Sequence, residues 1–487
     1  MIVKKPPEIF DRGWEWQQLT RFVSDARPEM TLGIVSGRRR QGKSTLLAAL
    51  AHATGGFYYE AIDGNRVEIL GDLGDKLARH LGAPAPFAFA SSEEALAAIE
   101  NLGTRGRPVG VVIDEFPSWA MADPAVASLV RNMLGPQTRL RSKSRTRLIL
   151  CGSALAVMGG LLAGQAPLRG RAGLELVIPA FDFRTARRFW DLDDRNLATR
   201  VFSIVGGTPA YRREFVADDV PKGPSDFDPW VARTVMSPAV PLFREARYLL
   251  AEDSTIGDRG LYHSVLGAIA AGETTSTKIA GRIGRPATAL AHPLAVLADA
   301  GFVTRQTDAF HANKVHYSII EPLIAFHHAI LRPAWAELER PGRARRVWQE
   351  MQATFRSKVV GPTFEAMCRT WVARHAARET FDGPVSLVGR GIVPDAGQRK
   401  NHEVDVVVLG EGKDVRVLGE AKWGESMTLG EVERLRRIQG LLTARGYDTQ
   451  NTKLALFAGA GFSSELGRHA RRVGLVLVDL ERLYAGS

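Results

Sequence analysis

Short apolar runs alternate with amphipathic stretches along the first 180 residues of the chain. The runs are rich in Val, Ile, Leu and aromatic residues, which is typical of buried strands, and the stretches between them repeat at a helical period. Apolar runs fall at 32–36, 57–62, 109–113, 147–151 and 174–178, and helical patterns fall at 44–52, 67–81, 93–102 and 124–134. This alternation predicts a doubly wound α/β core around a mostly parallel sheet.

The rest of the chain shows other patterns. Residues 182–250 look helical, with breaks at glycines and prolines, and residues 260–332 fit three helices and a hairpin, the order of a winged helix-turn-helix. Helix 362–377 then precedes strands 402–409 and 415–423, helix 429–445 and strands 453–458 and 475–480. We therefore predict a core at 1–185, a helical lid at 186–255, a winged helix at 256–332, a linker at 333–355 and a C-terminal α/β domain at 356–487.

Composition and charge narrow the class of protein. Of the 487 residues, 45% are hydrophobic and 24% are charged, which excludes a mainly disordered chain. The formal net charge of +11 is compatible with a polyanionic partner such as DNA. Two cysteines are too few for a disulfide framework. The uncharged stretch 148–168 contains several glycines, so we predict a buried strand and helix and a cytoplasmic protein without a membrane span.

A glycine-rich loop follows the first apolar run. Residues 37–44 read GRRRQGKS, between a predicted strand and a predicted helix. The glycines allow consecutive backbone N–H groups to surround a phosphate chain at the positive end of that helix. Lys43 can reach the terminal phosphates, and the Ser44 hydroxyl can bind Mg²⁺. The nucleotide-binding residues predicted here are Gly37, Arg40, Gln41, Gly42, Lys43, Ser44 and Thr45.

Two carboxylates, Asp114 and Glu115, follow the third apolar run. Open α/β sheets bind their ligands at the carboxyl ends of the strands, so both side chains are expected near the phosphate loop. We assign Asp114 to Mg²⁺, directly or through water. We assign Glu115 to polarising the attacking water, because phosphoryl transfer depends on positioning and charge stabilisation. Both are predicted catalytic residues.

The next strand introduces two open questions. Ser153 follows the run that ends at Cys151, and its hydroxyl either contacts the terminal phosphate or caps the next helix. Arg169 or Arg171 would supply positive charge to a neighbouring subunit's nucleotide, unless both are simply solvated. We take Ser153 as a nucleotide-binding candidate and Arg171 as a catalytic candidate. The role of Arg171 at a neighbouring subunit's nucleotide implies a homo-oligomer.

These motifs resemble the archaeal-type ATPase group of the AAA+/STAND P-loop class. The matching segments lie between residues 8 and 215 and are FDR at 10–12, GRRRQGKST at 37–45, VVIDEFP at 111–117, GS at 152–153, PLRGR at 167–171 and GGTPAY at 206–211. The resemblance implies an ATPase that uses ATP and Mg²⁺. Arg169 departs from the family, which usually has an aromatic residue at that position.

A hairpin near the carboxyl end carries a second chemical signal. Its turn reads EGKD, and Gly412 suits the first central position of a type II′ turn. That turn places Asp405 opposite Glu420 and Glu403 opposite Lys422, with all four side chains on one face. Facing carboxylates destabilise a sheet unless they share a cation or a proton. Asp405 and Glu420 are therefore predicted to bind Mg²⁺, with the lysine orienting water or stabilising negative charge.

The spacing of Asp405, Glu420 and Lys422 resembles the PD-(D/E)XK nuclease superfamily. Glu365 lies in the preceding helix and matches the helical glutamate of that superfamily. The resemblance implies a restriction-endonuclease-like domain in which these four residues are catalytic, and archaeal-type ATPases often carry such a domain after a winged helix. Two alternatives remain: a cross-strand salt bridge between Glu403 and Lys422, and a domain that binds DNA without cutting it.

Basic residues cluster in the predicted winged helix. Those around its turn are Lys278, Arg282 and Arg285, and those on the predicted wing are Arg305, His311, Lys314 and His316. The recognition helix at 286–300 contains Pro293, which should kink or shorten it. Base-reading side chains are scarce there, so contacts to the DNA backbone are favoured over sequence reading. Alternatively, the module packs between the two larger domains.

These inferences combine into one expectation with an alternative. We expect a Mg²⁺-dependent ATPase coupled through a winged helix to a domain that binds DNA and cleaves it if the acidic site is active. The alternative is an ATP-driven conformational switch or regulator whose C-terminal domain binds DNA or another partner without cleavage.

Overall fold

The computed structural model describes residues 3–104, 106–136, 144–153, 155–161, 166–251, 257–381 and 385–486. These residues divide into an N-terminal unit that ends at Ala180 and a C-terminal unit that begins at Phe181. The predicted winged helix, linker and C-terminal α/β domain, and the described part of the predicted lid, lie in the C-terminal unit.

The N-terminal unit is built on a five-stranded parallel sheet with the order β2-β3-β4-β1-β5. Its strands are β1 (Thr31–Ser36), β2 (Phe57–Glu60), β3 (Val109–Asp114), β4 (Thr146–Gly152) and β5 (Ala172–Val177). The predicted parallel α/β core is confirmed, and every strand lies close to its apolar run. Because β4 lies between β1 and β3, the residues that follow these three strands meet at one edge of the sheet.

Helices cover both faces of this sheet. They are α1 (Gly13–Val23), α2 (Lys43–Thr54), α3 (Arg66–Leu81), α4 (Ser92–Asn101), α5 (Phe116–Ala122), α6 (Val126–Met133) and α7 (Leu155–Gly160). Ile34 packs with α3 and α4 in one hydrophobic core, whereas its neighbour Val35 packs with α1 and α2 in another. Successive residues of β1 are thus buried on opposite faces, which explains why the strand reads as a continuous apolar run.

The segment after the N-terminal unit is helical, as its pattern predicts. Its α-helices are α8 (Phe183–Phe189), α9 (Arg195–Val205), α10 (Phe227–Arg233) and α11 (Leu242–Ala251). The glycine pair that interrupts the pattern has a packing reason, because a Cβ at Gly207 would lie 1.8 Å from the Phe181 carbonyl oxygen. Only glycine allows the two chain segments to approach this closely.

Three helical segments and an antiparallel strand pair follow in the predicted order. They are α12 (Arg259–Ala270), α13 (Ser276–Ile283), a 3₁₀ turn (Ala287–Leu290) leading into α14 (Ala291–Asp299), β6 (Val303–Thr307) and β7 (Val315–Ile319). The third α-helix starts later than the sequence pattern predicted. Pro293 consequently lies in its first turn, where a backbone N–H has no intrahelical acceptor and proline is tolerated.

The stretch predicted as a linker is largely helical instead. After α15 (Pro322–Phe326) and a π-helical turn at His327–Leu331, the chain forms α16 (Trp335–Leu338) and α17 (Ala344–Thr354). Val347 and Trp348 of α17 are buried. The arginines and the proline of this stretch suggested an exposed connection, but its apolar side chains pack into the C-terminal unit.

The last part of the chain forms a mixed sheet with the order β12-β11-β10-β9-β8. Its elements are α18 (Gly361–Arg374), α19 (Arg378–Phe381), β8 (Leu387–Asp395), β9 (Lys400–Leu409), β10 (Val415–Lys422), α20 (Leu429–Thr443), β11 (Lys453–Ala458), α21 (Ser464–Val473), β12 (Val476–Asp479) and α22 (Leu480–Ala485). The first three strands pair antiparallel and the last three pair parallel. Trp371 of α18 contacts Phe457, whereas Leu456 packs with α20, so the two helices cover opposite faces.

Candidate functional site

The phosphate loop connects β1 to α2, and its backbone requires glycine at two positions. Gly37 has φ +152°, and a Cβ there would lie 2.5 Å from the Ile178 carbonyl oxygen. Gly42 has φ +80° and is the N-cap of α2. Arg40 adopts φ +67° within the same loop. A left-handed non-glycine residue is a strained feature that is found preferentially at ligand-binding loops.

Lys43 is buried at the first position of α2. Its side chain donates from Nζ to the Arg38 carbonyl oxygen at 2.9 Å, so the ammonium folds back over the loop. Burial lowers the pKa of Lys43, and the nearby Glu115 and Asp114 carboxylates counteract that shift. Ser44 and Thr45 are exposed in the first turn of α2.

Asp114 closes β3 and is fully buried. One of its oxygens accepts a hydrogen bond from the Tyr58 hydroxyl at 2.8 Å, and the other accepts from the Glu115 backbone N–H at 2.9 Å. The side chain of Ser44 lies near the Tyr58 hydroxyl. Burial, followed by the charge of Asp114, raises the pKa of Tyr58, so the hydroxyl remains a donor at physiological pH.

Glu115 and Ser153 are brought together across the sheet edge. Glu115 has φ +47° at the N-cap of α5, and its carboxylate accepts a hydrogen bond from the Ser153 hydroxyl at 3.2 Å. Ser153 directly follows β4 and is buried. The sequence suggested a phosphate contact or a helix cap for this serine, and the structure adds a carboxylate that its hydroxyl can orient.

The residues at this edge fit a nucleotide with a magnesium ion. Asp114 and Ser44, which both lie near the Tyr58 hydroxyl, offer the hard oxygen ligands that Mg²⁺ takes in proteins. Lys43 and the loop amides offer positive charge and donors for phosphates at the start of α2. The predicted residues of the phosphate loop, Asp114, Glu115 and Ser153 therefore share one site.

Arg171 does not lie at this site. It directly precedes β5, which runs parallel to β1 with Ala172 beside Leu32. The arginine is thus at the amino edge of the sheet, whereas the phosphate loop is at the carboxyl edge, and a six-residue strand spans roughly 20 Å. Because Arg171 is exposed, its predicted catalytic role requires a nucleotide held by another copy of the chain.

Two residues support the site in ways that sequence reasoning did not predict. Arg12 donates to the Gln41 carbonyl oxygen at 3.4 Å and to the Pro179 carbonyl oxygen at 2.6 Å, and it lies 3.1 Å from Glu15. The FDR motif signalled this arginine without indicating its contact. Tyr58 is the other, and only the sheet order reveals it, because β2 lies next to β3.

The C-terminal sheet gathers a second set of carboxylates. The predicted hairpin register is confirmed by the pairs Val417 with Val408 and Gly419 with Val406. Asp405 accepts a hydrogen bond at 3.0 Å from the backbone N–H of Ala421, the residue after Glu420. Burial, followed by the charge of Asp405, raises the pKa of Glu420 to about 7.

Glu365 of α18 joins this set. Burial and then the charge of Asp405 raise its pKa to about 7, and burial also raises the pKa of Asp405 itself. Arg369, one turn further along α18, lies 3.9 Å from Glu365 and donates to the Asp405 carbonyl oxygen at 2.8 Å. The four residues predicted from the hairpin and its preceding helix thus surround one region, with an arginine among them.

Basic side chains already pair with this acidic set. Arg434 of α20 forms an ion pair with Glu420. Lys422 lies 2.5 Å from Glu431 of α20, whereas Glu403 lies 3.8 Å from Arg390. The alternative of a cross-strand bridge between Glu403 and Lys422 is therefore wrong, because α20 supplies a closer partner for the lysine.

The acidic set, as arranged, does not fit a bound metal. Among the residues that the structure describes, no group of three or more His, Cys, Asp or Glu side chains is placed to hold an ion. The guanidinium of Arg434 neutralises Glu420 where a cation was expected. Metal binding by Asp405 and Glu420 remains a prediction from sequence.

Two histidines of the predicted wing, His311 and His316, make contacts within the C-terminal unit, whereas Arg305 is exposed. His316 is fully buried between Asp308, at 2.9 Å, and Thr274, at 3.3 Å, so its expected contact with DNA is wrong. The loop between β6 and β7 packs on β8: the Ala309 N–H donates to the Arg390 carbonyl oxygen at 2.9 Å. Lys278, Arg282 and Arg285 remain exposed around the turn after α13.

Within the described parts of the chain, no helix combines the length and apolar character that a membrane crossing needs.

Comparisons with known proteins agree with the N-terminal site. Residues 9–214 match a family described as an ATPase domain predominantly from Archaea, and residues 330–435 match a family of archaeal and bacterial proteins of unknown function. An uncharacterized protein from Methanocaldococcus jannaschii, MJECL04, is 22% identical over 396 residues, which span 80% of this chain and 82% of that protein.

Two solved structures align with this chain, and the first of them shares its fold. The Walker-type ATPase PABY2304 of Pyrococcus abyssi aligns with a TM-score of 0.51 and 19% identity, over 67% of this chain and 99% of its own. The ORC2 protein of Aeropyrum pernix, in ADPNP and ADP complexes, aligns over 72% of this chain and 98% of its own with a TM-score of 0.42 and 16% identity. The family match, the shared fold and the phosphate-loop geometry make the protein an ATP-hydrolysing enzyme with an archaeal-type ATPase domain.

Proposed function

We propose that the protein is a Mg²⁺-dependent ATPase whose C-terminal unit binds DNA. The observation that carries the first part is the hydrogen bond from Tyr58 to Asp114, close to Ser44 at the start of α2. Two oxygen ligands thereby lie beside the phosphate loop. Bound Mg²⁺ would neutralise charge on the phosphates, with Ser44 and Asp114 holding it.

Each remaining residue of the site has one proposed task. Lys43 donates to the terminal phosphates when nucleotide displaces its bond to the Arg38 carbonyl oxygen. Glu115 orients and polarises the attacking water, and the Ser153 hydroxyl fixes one oxygen of that carboxylate. Arg171 acts on the nucleotide of a second copy, since it lies at the opposite edge of its own sheet.

The DNA part rests on the architecture of the C-terminal unit. Helices α12 to α14 with β6 and β7 have the order of a winged helix, and the order of α18, β8 to β10, α20 and β11 is that of a nuclease-like core. Exposed Lys278, Arg282 and Arg285 offer positive charge for a phosphate backbone. Glu365, Asp405, Glu420 and Lys422 are the proposed phosphodiester site.

A specific observation favours a second candidate. Glu420 and Lys422 are already paired with Arg434 and Glu431. A site whose charges are internally satisfied suits binding without cleavage, so the C-terminal unit would serve as a partner-binding module that the ATPase domain switches.

The ATPase site is tested by Lys43→Ala. We expect turnover of ATP with Mg²⁺ to fall by at least about 100-fold, because a charge aimed at the transferred phosphate is lost. Lys76→Ala is the control, since that lysine pairs with Asp72 on α3 at the surface. Turnover that survives in Lys43→Ala at the level of Lys76→Ala would refute this site.

The C-terminal site is tested by incubating the full chain with linear, circular and single-stranded DNA, with Mg²⁺ or Mn²⁺. Arg282→Glu combined with Arg285→Glu should weaken DNA binding at low salt. Cleavage that Asp405→Ala abolishes and Glu411→Ala, in the exposed turn, retains would establish a nuclease. Binding without cleavage would support the switch, and absence of binding to every DNA would rule out DNA as the partner.

A further inference from the structure

Tyr58 reaches the ATPase site from a strand that carries no known phosphate-binding motif in this sequence. It lies on β2, the edge strand, and pairs with Val112 of β3, two residues before Asp114. Its half-buried side chain extends along the sheet edge, and its hydroxyl donates to an Asp114 oxygen at 2.8 Å. A strand outside the three that lead into the site thus takes part in holding the carboxylate.

The same hydroxyl lies near the Ser44 side chain at the start of α2. A tyrosine hydroxyl has one proton, and Tyr58 donates it to Asp114. One oxygen of the Asp114 carboxylate is therefore fixed from β2. The tyrosine thus holds the carboxylate at the end of β3 close to Ser44.

We infer that Tyr58 is a positioning residue for the divalent cation of the ATPase site, holding the Asp114 carboxylate in the orientation in which it binds the cation beside Ser44. This inference rests on the proposed Mg²⁺ dependence. Partners that orient metal ligands in this way commonly change metal affinity or activity by 10- to 100-fold when they are removed. The Glu115 N–H holds only the other Asp114 oxygen, so losing the Tyr58 hydroxyl leaves one oxygen without this donor.

The neighbouring Tyr59 provides a matched control. It lies on the same strand with its side chain on the opposite face, and its hydroxyl donates to the Ile69 carbonyl oxygen at 3.1 Å. Its ring packs edge-on against Trp119 in the core between the sheet and α3. Tyr58→Phe and Tyr59→Phe each remove one hydroxyl from β2, but only the first removes a hydrogen bond to Asp114.

The experiment compares the two variants with the wild-type full chain. A fluorescent ATP analogue is titrated in EDTA and at a series of Mg²⁺ concentrations, and ATP turnover is measured over the same series. For Tyr58→Phe we expect the Mg²⁺ concentration at half-saturation to rise about 10- to 100-fold, while affinity in EDTA stays close to wild type. Tyr59→Phe should leave the Mg²⁺ requirement unchanged and lower only thermal stability.

A double-mutant cycle separates a specific effect of Tyr58 on the Mg²⁺ requirement from a general loss of stability. If Tyr58 acts through Asp114, then Tyr58→Phe should change the Mg²⁺ requirement far less in an Asp114→Asn background than alone. Equal Mg²⁺ requirements of Tyr58→Phe and Tyr59→Phe, or full additivity in the cycle, would overturn the inference. A wild-type protein with no Mg²⁺ dependence would instead overturn the proposed function, so the two failures are distinguishable.

Discussion

At the end of β3, Asp114 is held by a tyrosine hydroxyl and a backbone N–H, whereas on β10 Glu420 is held by the guanidinium of Arg434. The ATPase site thus stabilises its buried carboxylate with neutral donors, and its lysine donates to a carbonyl oxygen. In the C-terminal site, Glu420 and Lys422 are paired with Arg434 and Glu431, whereas Asp405 accepts a backbone hydrogen bond. The first arrangement leaves charge to be balanced by a ligand that brings both phosphates and a cation, while the second already balances part of its charge with its own side chains.

The strongest test of this difference is Glu115→Gln. If Glu115 polarises the attacking water, its loss should reduce kcat by about 10²–10⁴-fold while ATP binding persists, because the amide cannot assist proton transfer. Steady-state turnover and nucleotide titration measure the two effects separately. A variant that binds ATP less tightly but keeps its kcat would assign Glu115 to binding instead.

The charge pairing between Arg434 and Glu420 at the C-terminal site is tested by Arg434→Gln. Removing the guanidinium leaves Glu420 buried without its cation, so the pKa of Glu420 should rise further and the C-terminal unit should lose about 1–3 kcal/mol near pH 8. The expected loss of stability is kept this small because water screens the charge of an arginine side chain that is 32% exposed. Hydrogen exchange of β9 and β10 with and without Mn²⁺ reports the effect, and Arg436→Gln, on the exposed face of α20, is the control.

Mn²⁺ should then stabilise Arg434→Gln but neither the wild type nor Arg436→Gln. That result would show that the guanidinium takes the place of a bound metal ion. Equal protection of β9 and β10 in all three proteins would mean that the ion pair contributes no stability, and the contrast between the two sites would lose its basis.

The pKa of Glu365 yields a pH-dependent prediction of smaller size. Because its folded pKa of about 7 lies above its unfolded value, the folded state binds more protons, and stability falls as pH rises from about 4.5 through 7. Glu365→Gln removes this effect, so it should stabilise the C-terminal unit by about 1–2 kcal/mol at pH 8 and by little at pH 5. Thermal unfolding at both values, with exposed Glu411→Gln as the reference, measures it; a pH-independent change would contradict the shifted pKa.

The smallest expected effect is that of Ser153→Ala. Losing the 3.2 Å hydrogen bond to Glu115 should lower kcat by about 3- to 10-fold, the cost of one hydrogen bond, with the affinity for ATP retained. Reduced thermal stability with an unchanged kcat would favour the helix-capping role instead.

The parallel sheet could be predicted from the sequence because each central strand of the sheet is buried on both faces and reads as an apolar run. The sequence was insufficient for β8, where Gly389, Gly391 and Pro394 interrupt the alternation. It also missed α21, whose buried residues are only Leu466 and Ala470 on an otherwise polar surface. Local patterns disappear where few side chains face a core.

Among the site residues, those in motifs could be identified and those supplied by tertiary contacts could not. The phosphate loop is recognisable because its φ angles demand glycine. Tyr58 becomes relevant only through the order of the strands, and Arg434 and Glu431 only through the packing of α20 beside β10. Arg147 is similar: it is fully buried in β4 and donates to the carbonyl oxygens of Asp25 and Arg27, contacts that no local pattern specifies.

The loop between β6 and β7 has a mechanical consequence. Phe310 lies so close to β8 that a Cβ on Gly391 would be 2.5 Å from its ring, and Gln306 donates to the Val388 carbonyl oxygen at 3.2 Å. The helical module and the sheet are therefore packed directly against each other. A partner that contacts both the basic turn after α13 and the acidic strands would meet them at the separation that this packing sets. Gly391→Ala would disturb the packing, because its Cβ would clash with the Phe310 ring.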